Sequence, residues 1–489
     1  MSLALVQSLQ QRWGARLIET HISWVLLDGV HAWKIKKPVN LGFLDFSELA
    51  TRHRLCEVEL HLNQRLAPQL YLDVVAIRGT AQQPVLDGDA PVIEYALRMK
   101  QFEPGALLGE RLQAGLLQPQ QLDTLAARLA SFHQAAPVAT SQSPYGSTAH
   151  ITQAVGQVLA GLAKQGCVQA RVFWQPWLQS QSAQLGDFWA QRQATGHVIE
   201  GHGDLHLNNA VVLGDEVTAF DCIEFDPALR WIDACSDIAF MVMDLMAHSR
   251  PDLAYRFLNA YLDESGDHAG LPTLRFYLVY RALVRGLVAG IKGDQGEHDQ
   301  PDYLDLAERL TQPAPPRLLI THGLSGSGKS FHTLGLLGHA QAIRVRADVE
   351  RKRLVDIPDR YTPQATAQTY ARLRELAYTA LQAGYPVIVD ATFLRRAQRD
   401  DFRQLARQLN VPFTILHCLA DPATLRQRVT LRSQQGHDAS EADATVLAQQ
   451  WGVVEPLQED EHACTITVDA AQPVTPEALA TQWLWMEPT

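Results

Sequence analysis

The sequence predicts two domains of different class: an α+β front half, with a small β-rich part followed by a larger helical part, and an α/β rear half built on a doubly wound parallel sheet. Three observations lead there. The 489 residues exceed the ~250–300 at which one hydrophobic core stops growing. The stretch "TQPAPPRLLIT" (311–321) carries Pro313, Pro315 and Pro316, which favour extended backbone and forbid a helix there. Across that stretch the apolar pattern changes from strands followed by long helices to a strict alternation of strand and helix. The expected division is therefore 1–311 (small part about 15–102, large part about 103–311), a linker at 312–316, and 317–489.

Each element has its own signal. "MSLALVQSLQQRWGARL" lacks a basic region ahead of an apolar one and reads as an amphipathic helix, not a leader. "HISWVLL" and "VHAWKIKK" are strand-like and flank Asp28-Gly29, a pair suited to a tight hairpin turn. A helical period follows over "SELATRHRLCEVELHLNQRL". Then come two further strands, "LYLDVVAI" and "APVIEYALRMKQF". From Pro119 onward helices dominate, interrupted by "VIEGHGDLHLNNAVVLGDEVTAFDCIEFD" (198–226). In the rear, Leu318–Thr321, "AIRVRA", "PVIVDA", "PFTILHCL" and "ACTITVDA" are the expected parallel strands.

Composition narrows the function classes. No apolar run approaches the ~18 residues of a membrane span. The six cysteines form no CxxC and no Cys/His cluster, as expected of buried thiols in a reducing cytoplasm. From Arg317 onward there are 18 basic and 19 acidic residues, so of the net charge of −11 the front half carries −10. An acidic front half argues against non-specific nucleic-acid binding.

"HGDLHLNN" (202–209) carries the first chemical signal. Between a short apolar run and a strand pair, a loop holds side chains on strand ends. There Asp204 can orient or deprotonate an attacking hydroxyl, and the oxygen of Asn209 can bind Mg²⁺ as an uncharged hard ligand. A second carboxylate is then needed at the metal, and Asp221 supplies it at the end of "VTAF". His202 is expected to brace the loop by hydrogen bonding. This set resembles the aminoglycoside phosphotransferase family, a branch of the protein-kinase-like fold, over roughly residues 15–300. The resemblance implies ATP use, makes Asp204 the catalytic aspartate, Asn209 and Asp221 metal ligands, and Asp237 of "DIAF" a structural anchor. It also asks for a strand lysine paired with a helix glutamate. Strand alternation puts Lys34 and Lys36 on one face and Lys37 on the other. Lys36 is favoured with Lys34 close behind, and Glu59 competes with Glu57. No glycine-rich loop covers the expected nucleotide.

"GLSGSGKS" (323–330) carries the second signal and fits GxxxxGK[ST] in full, after a strand and before a helix. In the loop Gly323, Ser325, Gly326, Ser327 and Gly328, the glycines let backbone N–H groups turn toward phosphates. Lys329 then reaches the β/γ oxygens and the Ser330 hydroxyl binds Mg²⁺. Asp390 ends a buried strand and is expected near the metal. Arg428 and Arg432, at i and i+4, form one helix face able to close over phosphate. These stretches resemble the P-loop kinases related to polynucleotide kinase, zeta toxin and gluconate kinase. That resemblance makes Asp348 the base for the acceptor hydroxyl and brings Arg351 or Arg353 to acceptor phosphate or sugar.

The expectation is a cytoplasmic, ATP- and Mg²⁺-dependent phosphotransferase with two kinase-type domains, each acting on a hydroxyl of a small molecule, sugar or nucleotide. Two alternatives stand beside it: one domain catalytic with the other a nucleotide sensor, and a front half that inactivates aminoglycosides.

Overall fold

The computed structural model describes residues 2–40, 44–140, 142–292, 301–354, 362–435, 443–472 and 474–486. The chain divides into two compact units, residues 1–151 with 190–241 and residues 152–189 with 242–489.

In the first unit β1 (Arg16–Glu19), β2 (Ser23–Leu27), β3 (His31–Lys36), β4 (Tyr71–Gly79), β5 (Pro84–Val85) and β6 (Val92–Lys100) form one antiparallel sheet, in the order β1-β2-β3-β6-β4-β5. The expected hairpin is β2–β3, but its turn sits one residue further on. Asp28 N donates to His31 O at 3.1 Å, so Gly29 and Val30 are the central pair. The reason is the Asp28 side chain. Its Oδ1 accepts from the amides of Val30 and His31 at 2.8 and 2.6 Å, and Oδ2 from the Trp33 indole at 2.8 Å. Such a carboxylate serves best from the first corner of a turn, and Gly29 takes the left-handed position at φ 94°.

Alternation along β3 then decides the site. Trp33 and Ile35, with Trp24 and Leu26 of β2, pack against Leu5, Val6 and Leu9 of the N-terminal helix Ser2–Trp13. Lys34 and Lys36 face the other way, toward the helix Leu49–Gln64. That helix is locked in rotation by buried Arg52. Its Nε and Nη2 reach Glu94 of β6 at 3.1 and 2.9 Å, and its Nη1 donates to the carbonyls of Phe46 and Ser47 at 2.8 Å. The segment expected to break the helices forms β7 (Val198–Glu200), β8 (Ala210–Leu213) and β9 (Glu216–Ala219). β8 pairs with β9, and β7 pairs with β10 (Trp231–Asp233).

In the second unit β11 (Leu318–His322), β12 (Ile343–Arg346), β13 (Val387–Asp390), β14 (Phe413–Leu419) and β15 (Thr465–Asp469) form a wholly parallel sheet in the order β12-β13-β11-β14-β15. All five expected strands are present. After β11 the chain goes to the far edge at β12, returns to fill β13 beside β11, and then crosses to the other side for β14 and β15. This makes the carboxyl end of β11 a switch point, where open α/β sheets bind ligands. The edge strand β12 is closed by the helix Pro251–Ser265, from upstream of the proline-rich stretch. Asn259 Nδ2 donates to Ala342 O at 2.9 Å and its Oδ1 accepts from Arg344 N at 2.6 Å, so the amide pairs like another strand with an edge that would otherwise be open. Among the described residues no helix is long and apolar enough to cross a membrane. All six cysteines are unpaired thiols.

Asn259→Ala is expected to leave a buried backbone N–H and C=O on β12 without partners and to lower unfolding free energy by about 1–3 kcal/mol. Urea titration followed by circular dichroism reads this directly.

Candidate active sites

The front site is assembled on the loop between β7 and β8. Its backbone is held from below by Asp237, a carboxylate with no solvent exposure. Asp237 Oδ2 accepts from His202 N at 2.7 Å and contacts His133 Nε2 at 3.2 Å, while Oδ1 accepts from Gly203 N at 2.9 Å. Burial would raise this carboxyl, but the bond and charge of His133 outweigh it and hold Asp237 well below the ordinary range. The helix carrying Asp237 thus sets the loop's position, the anchoring role the sequence suggested. His202 braces the loop as expected. Its Nε2 donates to Phe220 O at 2.8 Å, its Nδ1 accepts from Asp204 N at 3.3 Å, and burial lowers its pKa.

Asp204 stands above that anchor. The Asn209 amide nitrogen donates to Asp204 O at 3.0 Å and to Oδ2 at 3.1 Å, so the amide oxygen is the end turned away from Asp204. Asn208, the neighbour that spacing rejected, is exposed, whereas Asn209 is buried. His206 Nδ1 accepts from Asn208 N at 3.2 Å, which places the ring proton on Nε2, facing Asp204 Oδ2 at 3.4 Å.

Asp221 adopts φ 64°, unusual for a residue with a Cβ. Its amide donates to the Tyr71 hydroxyl at 3.1 Å, and the next amide, Cys222 N, donates to Asn63 Oδ1 at 2.9 Å. Its carboxylate Oδ1 takes Lys34 Nζ at 2.6 Å. Lys34 also donates to Glu59 Oε1 at 2.6 Å, and Lys36 donates to Glu59 Oε2 at 2.6 Å and to Glu224. Glu59, not Glu57, meets the lysines. It shares the buried helix face of Leu55, Cys56, Leu62 and Asn63, while Glu57 points outward to His53 at 3.2 Å. Burial would raise the Glu59 carboxyl, but the two ammonium groups win and bring it down to about 2. Burial would lower both lysines, but the carboxylates around them win and raise both. Lys37, on the opposite face, pairs with Glu19. Sequence reasoning missed Glu224, Tyr71 and Asn63. Only the burial of a polar residue next to the Asp221 motif could have flagged the first, and nothing local flags the others.

The rear site follows β11. Gly323 runs so close to β14 that a Cβ there would sit 2.6 Å from Cys418 O. Gly328, at φ 96°, turns the chain into the helix Lys329–His339. Ser325, Gly326, Gly328, Lys329 and Ser330 line a cavity of about 450 Å³ together with Asp348, Asp390 and Arg428. Lys329 Nζ donates back to Leu324 O at 2.8 Å. Asp390 Oδ2 accepts from Thr333 at 3.2 Å, and Asp348 Oδ1 takes Arg351 at 3.3 Å. Arg428 donates to Gly326 O at 3.3 Å. Arg351 lines the same cavity, whereas Arg353 turns to Glu350 and the carbonyl of Asp263. Ser327 is buried within the loop. The side chain of Arg432 lies outside the described residues. Gln450, absent from the sequence reading, holds Ser325 from the far side of the cavity. Its Oε1 accepts from Ser325 N at 2.8 Å and its Nε2 donates to Ser325 Oγ at 3.0 Å.

Residues 43–277 match the model of the phosphotransferase enzyme family, and residues 318–457 match that of an AAA domain. The chain thus joins an aminoglycoside-phosphotransferase-like kinase domain to a P-loop domain. Along most of its length it is similar to an uncharacterized protein of Mycobacterium tuberculosis, 29% identical over 451 residues and spanning 88% of this chain and 89% of that one. Among solved structures it is similar to the ADP-bound aminoglycoside phosphotransferase APH(2'')-Ib, at 12% identity, 64% of this chain, 97% of that chain and TM-score 0.33. A sugar kinase from Janibacter sp. HTCC2649 matches at 24% identity, 36% of this chain, 97% of that chain and TM-score 0.28.

Because Asp237 is depressed in the folded state, its contribution to stability is complete above the unfolded value of about 3.9 and is lost as pH falls below it. Asp237→Asn is expected to cost about 1.5–3 kcal/mol at neutral pH and to flatten the acid limb of stability against pH, read by urea unfolding between pH 3 and 7.

Proposed function

We propose that the chain is an ATP- and magnesium-dependent phosphotransferase with two kinase-type sites, each passing the γ-phosphoryl group to a hydroxyl of a small molecule, sugar or nucleotide. The observation that carries the reading is Lys34 bridging Glu59 and Asp221, one loop away from the paired Asp204 and Asn209.

In the front site Asp204 takes the proton of the acceptor hydroxyl as its oxygen bonds to the γ-phosphorus. The bond from phosphorus to the β–γ bridging oxygen breaks, and its electron pair leaves with ADP. Asn209 Oδ1 and the Asp221 carboxylate are hard oxygen donors, the type that suits magnesium, and they would hold it. That ion supplies neutralisation of the phosphate charge. Lysine from β3 positions the phosphates, and the Asp237 anchor keeps Asp204 in place without reacting itself. In the rear site the loop from Gly323 to Gly328 cradles phosphate with its amides, Lys329 and Arg428 offset the charge that develops, and Asp348 serves as the base. Ser330, with Asp390 beside it, is the hard-oxygen set for a second magnesium ion. The location of the chemistry in the cytoplasm belongs to the same reading.

Incubating the protein with γ-labelled ATP, magnesium and a metabolite extract tests this. Asp204→Asn and Lys329→Ala are each expected to lower one set of labelled products by about 100-fold or more while sparing the other set. No label transferred by wild type, or both sets lost together in either variant, would count against two independent sites.

A further inference from the structure

Two lysines of β3 share one buried carboxylate, and the front reaction as proposed uses one of them. From the geometry we infer that Lys34 is the lysine that serves the nucleotide, and that Lys36 is a positioning residue whose bond to Glu224 latches the Asp221–Glu224 segment in its working shape. This inference rests on the phosphotransferase reading of the front site.

Access separates the two lysines first. The Lys34 side chain keeps 13% of its surface exposed and meets Asp221, itself 40% exposed, whereas Lys36 is 1% exposed and meets Glu224 at 5%. An ammonium group that must reach phosphate oxygens needs a route to them, and Lys36 has polar protein on the sides where that route would be. Phe46 covers it further, with the ring centroid 5.3 Å from Nζ.

The second argument is strain. Asp221 sits in the left-handed region, which a residue with a Cβ rarely occupies, so the turn persists only where its neighbours are tied down. Its ties include the Tyr71 hydroxyl on Asp221 N, Asn63 Oδ1 on Cys222 N, His202 O on Ile223 N at 3.2 Å, Arg230 Nη1 on Glu224 O at 3.3 Å, and Lys36 on the Glu224 carboxylate. The first four grip the backbone. The last holds the far end through the Glu224 side chain, and Lys36 joins that side chain to Glu59, the same carboxylate that orients Lys34.

The third argument is charge. Lys34, Lys36, Glu59, Glu224 and Asp221 together carry two positive and three negative charges, so the cluster has one excess negative charge, and it lies on the exposed side at Asp221. Asp221 would hold a divalent cation in place of the Lys34 ammonium, which would leave Lys34 available to phosphate. Nothing in that exchange involves Lys36, whose partners are both buried. Removing Lys36 instead strands Glu224 as a buried carboxylate, which must take up a proton or swing outward and pull the strained turn with it.

Four variants decide it, each carried in a Lys329→Ala background so that only the front site turns over: Lys34→Met, Lys36→Met, Glu224→Gln, and Lys36→Met with Glu224→Gln. Lys34→Met is expected to lower transfer from labelled ATP about 100-fold and to weaken ATP·Mg²⁺ binding by calorimetry. Lys36→Met alone is expected to lose a similar amount of activity, Glu224→Gln, whose amide oxygen still accepts from Lys36, to stay within about tenfold of the parent, and the double variant, which has no latch, to stay as low as Lys36→Met. Hydrogen exchange reads the latch without any turnover: the amides of 221–224 should exchange about tenfold faster in Lys36→Met and at the parent rate in Lys34→Met. A double variant that recovers the parent's activity, or exchange at 221–224 unchanged by Lys36→Met, overturns the latch. Full activity in Lys34→Met overturns the role of Lys34. A parent that binds no nucleotide refutes the phosphotransferase reading and the Lys34 half with it, while the exchange arm still judges the latch.

Discussion

The front site depends on a carboxylate that water does not reach. Glu59 is fully buried, and each of its oxygens takes a different ammonium group at 2.6 Å. Moving isolated charges of this kind out of water costs several kcal/mol per ion, and only close opposite charges with good geometry return it. The cluster therefore has few alternative arrangements. Because Lys34 continues to Asp221 and Lys36 to Glu224, the single buried carboxylate joins strand β3, the helix Leu49–Gln64 and the segment after β9 into one body. The Arg52–Glu94 pair performs the same service about two turns away, fixing the helix against β6. Asp237 repeats the device beneath the loop of Asp204. All three cases use a buried acid that accepts from several donors to fix the backbone beside it.

The rear unit solves its positioning problem with backbone instead of charge. Its sheet places the end of β11 between β13 and β14, and a loop that turns there needs residues without side chains, since Gly323 runs against Cys418 O. The acids Asp348 and Asp390 come from the ends of β12 and β13, the two strands on one side of the switch point. Their shared cavity follows from strand order, and so does the distance along the chain between residues that line it. Closure of the β12 edge by Asn259 shows that the sheet's integrity draws on helices upstream of the proline-rich stretch.

Legibility differed between elements for physical reasons. The five rear strands read clearly because buried parallel strands are continuous apolar runs, and the front hairpin read clearly because two runs rich in β-branched and aromatic residues flank Asp28-Gly29. The turn of that hairpin was misplaced by one residue, since a turn-forming aspartate can act at a corner or at the centre and local composition does not distinguish them. Helical period favoured neither Glu57 nor Glu59 until the sheet supplied a buried side. Glu224, Tyr71, Asn63 and Gln450 were invisible: each acts on residues far away in sequence, and none belongs to a motif.

What the sequence determined by itself was which polar groups stand together in its two short stretches. "HGDLHLNN" and "GLSGSGKS" act through neighbours within eight residues, so spacing alone specifies which atoms can meet. Tertiary structure decided which of two lysines faces outward, which glutamate they share, and what holds Asp221 in a strained turn. Those outcomes are settled by burial and by charge pairing between segments as much as 188 residues apart, and desolvation has no value until the chain has closed around the group.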